Sequence, residues 1–295
     1  MLIAALLLIA APAPVGASPH PAEFWQSIVE HDYAVPEGAH ADALFDELAT
    51  FVSNPDPRWR DDFGYSIGAH WMYSKAAVSP AAMQRAMRVW MGNLSRGVGE
   101  TGNDGVITRS FSALNLSIVA AVDVARPFLS ADEYRALLDL ALSYFANERD
   151  LRSYQLPQGW IHSAAHTADL LKFLARNKNF TAADQSRVLD AIVAKQSATR
   201  GQVFTFGEDE RFASAVLSIV RRSDFAPAAF EGFVKKLIAV AGSEVGTTLD
   251  LDAFAAAQNC KALLKSLYAA LTLPESPQAN ESAAAAILTK ALRQT

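Results

Sequence analysis

The chain has 295 residues, 51% of them hydrophobic and 19% charged, with a formal net charge of −5. That is enough apolar material for a large core and excludes wholesale disorder. A mildly acidic chain without a basic cluster lacks the footprint that nucleic acid or an anionic membrane surface requires, and a single cysteine, Cys260, excludes an intramolecular disulfide.

Residues 2–11 form an apolar run, followed by Pro12, Pro14 and the small residues Gly16 and Ala17 before Ser18. The run is shorter than the roughly 20 residues of a membrane-spanning helix, and the small residues after it resemble a signal-peptidase site. No Lys or Arg precedes the run, so only the α-amino group supplies positive charge there. The pattern predicts a signal peptide over residues 1–17 and a single domain over residues 18–295, periplasmic or secreted. Cys260 is far from this segment, which excludes a lipid-anchored cysteine after it. N-terminal sequencing of the exported protein should begin at Ser18; a mature chain that still starts at Met1 would overturn the expectation. No later stretch reads as a membrane span.

Strand signals are nearly absent beyond this point, and helical spacing dominates. Leu44, Leu48, Phe51 and Val52 share one helical face, and Asn54, Pro55, Asp56 and Pro57 then force a turn. Arg60 and Asp61, in an aromatic helical segment with Tyr65, read as an ion pair. Ser79 before Pro80 is a cap followed by a first-position proline. Residues 97–105 make a long loop that matches G-x-G-x-x-G at Gly97, Gly99 and Gly102. A helix, not a strand, precedes it, so it is no dinucleotide fingerprint. Thr108, Arg109 and Ser110 open the next helix. Ser130 with Glu133 and Thr181 with Asp184 have capping-box spacing. Leu137, Leu138, Ala141, Leu142 and Phe145 continue the helical period, which ends in Glu148, Asp150 and Arg152. A second long loop, residues 152–159, leads to a helix predicted to start at Trp160. Glu208, Asp209, Glu210 and Arg211 open a later helix, Pro227 another, and Leu263, Leu264, Leu267 and Leu271 mark a further one. The sum is an all-α fold of about a dozen helices, stacked as antiparallel hairpins in an irregular α-solenoid or bundle.

Chemistry concentrates on the predicted Trp160 helix. His162, His166 and Asp169 would project within a narrow arc at spacings of four and three. Two imidazoles so placed can share a divalent metal, with Asp169 or Asp209 as the candidate third ligand, Asp209 preferred; Ser163 stands where a metalloprotease motif would carry Glu. Glu148, Asp169 and Glu208 are the candidate catalytic carboxylates. Arg109, Arg152, Trp160 and Arg211 are the candidate binding residues, with Arg109 alternatively paired to Glu148. Three readings follow: a module binding a small molecule or peptide, a metal-dependent hydrolase working through His162 and His166, or a polar network that only fixes helix register.

These segments together carry a resemblance. Thr108 through Leu114, Glu148 with Asp150 and Arg152, Gly159 and Trp160 with His162, His166 and Asp169, and the Glu208 to Arg211 turn resemble a bacterial family of unknown function, DUF2785. Arg60, Asp61 and Tyr65 upstream and Leu264, Lys265 and Tyr268 downstream fit the same pattern, so the likeness spans about residues 44–273. The resemblance implies an all-helical fold and brings no activity or cofactor.

Overall fold

A computed structural model describes residues 19–243 and 248–294. The predicted signal peptide lies outside them. The described residues form twelve α-helices and one two-stranded ribbon. The helices are α1 (Ala22–Glu30), α2 (Ala41–Leu48), α3 (Ser66–Ala69), α4 (Pro80–Ser95), α5 (Gly105–Ala125), α6 (Ala131–Asn147), α7 (Ser163–Leu174), α8 (Ala182–Ser197), α9 (Glu208–Val220), α10 (Pro227–Ala241), α11 (Leu251–Thr272) and α12 (Ala279–Leu292). Wider π-helical turns, Arg58–Tyr65 and His70–Ser74, flank α3. The ribbon is β1 (Tyr154–Gln155) with β2 (Gly159–Trp160).

The helix starts follow the local chemistry. Ser79 Oγ accepts from the Ala82 amide with Pro80 in the first turn, and both Ser130–Glu133 and Thr181–Asp184 close reciprocal capping boxes. From α4 onward the helices alternate between two rows. The inner row α5, α7, α9 and α11 packs side by side in that order, and the outer row α4, α6, α8 and α10 packs behind it; α4, α6 and α10 each lie on the inner helix that follows, while α8 lies mainly against α11 of that row. This is the stacked-hairpin arrangement, with α12 closing the end against α9, α10 and α11.

Inner helices are covered on several sides, and their sequences show it. Ala113, Ser117 and Ala120 of α5 and Ala164, Ala165 and Ala168 of α7 are all buried. Such small residues let two helix axes approach closely. The same coverage explains a correction. Helix α5 is long and apolar enough to cross a membrane by length and composition, contrary to the sequence expectation, and 83% of its apolar window is buried inside the protein. An inner solenoid helix needs apolar residues on most faces, which imitates the composition of a span.

A second correction concerns the start of α7. The helix begins at Ser163, not Trp160, and Trp160 belongs to β2. Two left-handed residues shape this stretch: Gly159 at φ +72° turns the chain before the expected start, and His162 at φ +51° breaks the expected helix. Gly159 is needed twice over, because a Cβ there would also sit 3.2 Å from Pro57 Cβ. The ribbon pairs Tyr154 with Trp160 and Gln155 with Gly159, and continues into backbone bonds from Ile161 to Ser153 and from His162 to Arg152.

Candidate functional site

The ribbon crosses the N-terminal ends of α5, α7 and α9 and draws their polar residues together. Arg60 anchors it. This fully buried guanidinium donates to the Gln158 carbonyl (2.7 Å), the Trp160 carbonyl (3.2 Å) and the Asn54 carbonyl (3.3 Å), pairs with Asp61, and lies over the Phe111 ring. Burial raises the Asp61 carboxyl above its usual range, against the pull of Arg60. The expected Arg60–Asp61 pair is present, but the reach across the chain to the ribbon was not legible in sequence.

Beneath the ribbon lie the two histidines. His162 caps α7, and its carbonyl accepts the His166 amide, so the rings still sit one turn apart with centroids 5.6 Å from each other. The Ser110 hydroxyl donates to the Ile161 carbonyl and lies 2.8 Å from His166 Nδ1. A hydroxyl has one proton to donate, so Ser110 accepts from His166 and the imidazole proton resides on Nδ1. Burial, then the neighbouring His162 and Arg211, hold the His166 pKa well below its ordinary value, so its Nε2 carries a lone pair.

Glu208 is the carboxylate that faces this pair. It is fully buried in the first turn of α9, where a negative charge complements the helix dipole. One oxygen accepts from the Phe206 amide (2.8 Å); the other accepts from Ser153 and lies 3.4 Å from His162 Nε2. Burial pushes its pKa up, and the close approach of the His162 ring with the bonds from Ser153 and the backbone outweighs this and holds it below the usual range. That approach is an ion-pair contact and not a hydrogen bond, so the buried His162 Nε2 has no hydrogen-bond partner among the described residues.

The other predicted site residues are placed elsewhere. Asp169 lies deeper along α7, held by Lys172 (2.9 Å) and Arg211 (2.6 Å). Asp209 accepts from Ser266 of α11 and does not join the imidazoles. Among the described residues no three His, Cys, Asp or Glu side chains are gathered to hold a metal. Arg109 is buried and forms a two-pronged pair with Glu148 at 2.5 and 3.2 Å, and also donates to the Arg96 carbonyl. Burial alone would lower the Arg109 pKa, but Glu148 raises it. Glu148 also accepts from the Arg149 and Asp150 amides, so this carboxylate is spent on structure. Arg152 pairs with Asp150 and donates to the Asn103 carbonyl, stitching the two long loops together. Cys260 is packed in the core, where burial pushes its thiol up to about 12.

Above the histidines is an aromatic rim. Trp160 (41% exposed) stacks on His162 with centroids 5.0 Å apart, and Tyr154 (43%) and Phe206 (47%) meet its edges at 5.1 and 5.9 Å. Trp160 was identified from sequence; Tyr154 and Phe206 were missed. Their available signal was an aromatic residue in each loop beside the polar segments.

The family profile described as "Protein of unknown function (DUF2785)" matches residues 94–269, more than half of the chain. The match contains every residue of the histidine network and the rim, while Arg60 and the Pro57 contact lie before it. No curated protein and no solved structure matches. A match of that extent, with the helical fold and the signature residues gathered around one ribbon, establishes that the chain belongs to the DUF2785 family.

Proposed function

We propose that this protein binds a small molecule or peptide at the Tyr154–Trp160–Phe206 rim, after export from the cytoplasm. One observation carries the reading: three large aromatic side chains, each nearly half exposed, cluster together, and one of them, Trp160, stacks on an imidazole whose buried Nε2 makes no hydrogen bond among the described residues and lies 3.4 Å from Glu208. Clustered exposed apolar surface marks a contact site, and buried polar atoms are normally satisfied. A ligand with a flat apolar face against Trp160 and a polar atom aimed at His162 would meet both needs. The support below is rigid, since Arg60, Glu208 and Ser110 each tie the ribbon or the α7 cap to a different element.

Trp160 is the most exposed of the five tryptophans, since Trp25, Trp71 and Trp90 are fully buried and Trp59 is partly buried, so the part of a fluorescence change that is lost in Trp160→Ala reports occupancy of the rim. A panel of small aromatic compounds, oligosaccharides and short peptides, followed by tryptophan fluorescence and calorimetry, should contain binders. Trp160→Ala should weaken them at least tenfold, about 1.4 kcal/mol, while the melting temperature moves by only a few degrees. Affinities unchanged in both Trp160→Ala and Phe206→Ala would overturn the reading.

A further inference from the structure

The opposite end of the inner row carries a second, unrelated feature. Where α5, α7 and α9 end, a cleft of about 590 Å³ opens between the loops that follow them. Arg176, Lys178, Arg221 and Arg222 line it, against a single carboxylate, Asp123. In a chain of net charge −5, this is a local reversal of sign.

The ordinary explanation for cations at helix C-termini is that they satisfy the last carbonyls and the helix dipole. That account covers Arg222, which donates to the carbonyls of Ala175, Asn177 and Phe180 and pairs with Asp224. Arg221 pairs with Glu281. It does not cover the remaining two. Arg176 donates Nε to Ser218 Oγ (3.0 Å), lies against the Phe173 ring, and meets neither a carboxylate nor a carbonyl among the described residues. Lys178 is an exposed side chain on the cleft wall and makes no ion pair or hydrogen bond among the described residues. Asp123 is no hidden partner, because its oxygens already accept from the Phe128 amide, the Leu129 amide and Asn177 Nδ2.

We infer that this cleft binds a phosphorylated small molecule, with Arg176 and Lys178 on the phosphoryl group and the Val124 and Pro127 side of the cleft against the body of the ligand. Arg176 presents its two terminal nitrogens as a planar fork, which matches phosphoryl oxygens, and Lys178 adds a second charge on a flexible stem. Burial, and then repulsion from Arg221, pull the Arg176 pKa below its ordinary value, so a bound dianion would relieve a like-charge contact. The site lies at the other end of the inner row from the aromatic rim and stands independently of the function proposed there.

Calorimetry on the full chain at low ionic strength tests it, with inorganic phosphate, glucose 6-phosphate and glucose as probes. Saturable one-to-one binding of glucose 6-phosphate is expected, tighter than inorganic phosphate, with no binding of glucose. The double variant Arg176→Gln, Lys178→Gln should bind at least tenfold more weakly and melt at nearly the same temperature, because neither side chain holds an ion pair. Absence of saturable binding by both phosphates, or equal affinity in the double variant, would overturn the inference. So would sedimentation with phosphatidic acid vesicles in the absence of any soluble phosphate binding.

Discussion

Arg109→Met is expected to destabilise the protein by about 3–5 kcal/mol, measured as a lower midpoint of urea unfolding. The guanidinium and the Glu148 carboxylate are both buried, at 1% and 3% exposure, and meet through two hydrogen bonds. Removing one partner strands the other charge away from water. Arg109 also bonds the Arg96 carbonyl, so the loop over residues 97–105 loses its tie to α5 in the same step. The double variant Arg109→Met, Glu148→Met should recover part of the loss, because neither charge of the pair is then stranded, although the buried Lys195 ammonium also loses its attraction to Glu148. The Glu148 carboxylate also accepts the Arg149 and Asp150 amides, and that part of the loss should persist. A single-variant effect below about 1 kcal/mol would show that water reaches the pair and that the pair does not organise this end of the inner row.

The second large effect is a pH dependence set by Lys195. Its ammonium is buried, donates to the Glu148 carbonyl (2.8 Å) and lies near the Phe145 ring. Burial lowers its pKa from 10.5 to about 8, only partly countered by Glu148. Below pH 8 both folded and unfolded chains carry the proton, and the cost of burying the charge is fully present. Between about 8 and 10.5 the unfolded chain binds the extra proton, so this group makes stability rise with pH, by as much as about 3 kcal/mol in all. Cys260 acts in the opposite sense, since its raised thiol pKa removes stability as pH climbs above the ordinary thiol range. The measurement is therefore the difference between wild type and Lys195→Met across pH 7 to 11, in which Cys260 cancels. Wild type should gain on the variant through that window; a flat difference would sink the assignment.

How much of this was legible in the chain depends on the range of the interaction. Ser79 with Pro80, Ser130 with Glu133 and Thr181 with Asp184 act within one turn, and all cap helices where their spacing indicated. The alternative that Arg109 pairs with Glu148 was also open to sequence, and the structure adopts it. The start of α7 differs from the expectation because residues 160–169 keep helical spacing, while the break comes from left-handed backbone at His162, a conformation that His adopts more readily than most side chains but only in a small minority of cases. Asp209 was a reasonable third ligand by type, but its neighbour Glu208 faces His162 while it turns toward Ser266. Adjacent residues on a helix point about 100° apart, and only packing decides which one faces inward.

By itself, then, the sequence determined the all-α class, the approximate number of helices, three of their caps and the family, and it marked the His162, His166 and Glu208 segments as candidates. These follow from periodicity and local hydrogen bonding, which act over a few residues. Tertiary structure alone decided that Tyr154, Trp160 and Phe206 converge into one rim, that Arg60 reaches Trp160 to hold the ribbon in place, and that Arg176 and Lys178 share a cleft without carboxylate partners. Each of these joins side chains from separate elements, and their meeting depends on how the rows of helices stack.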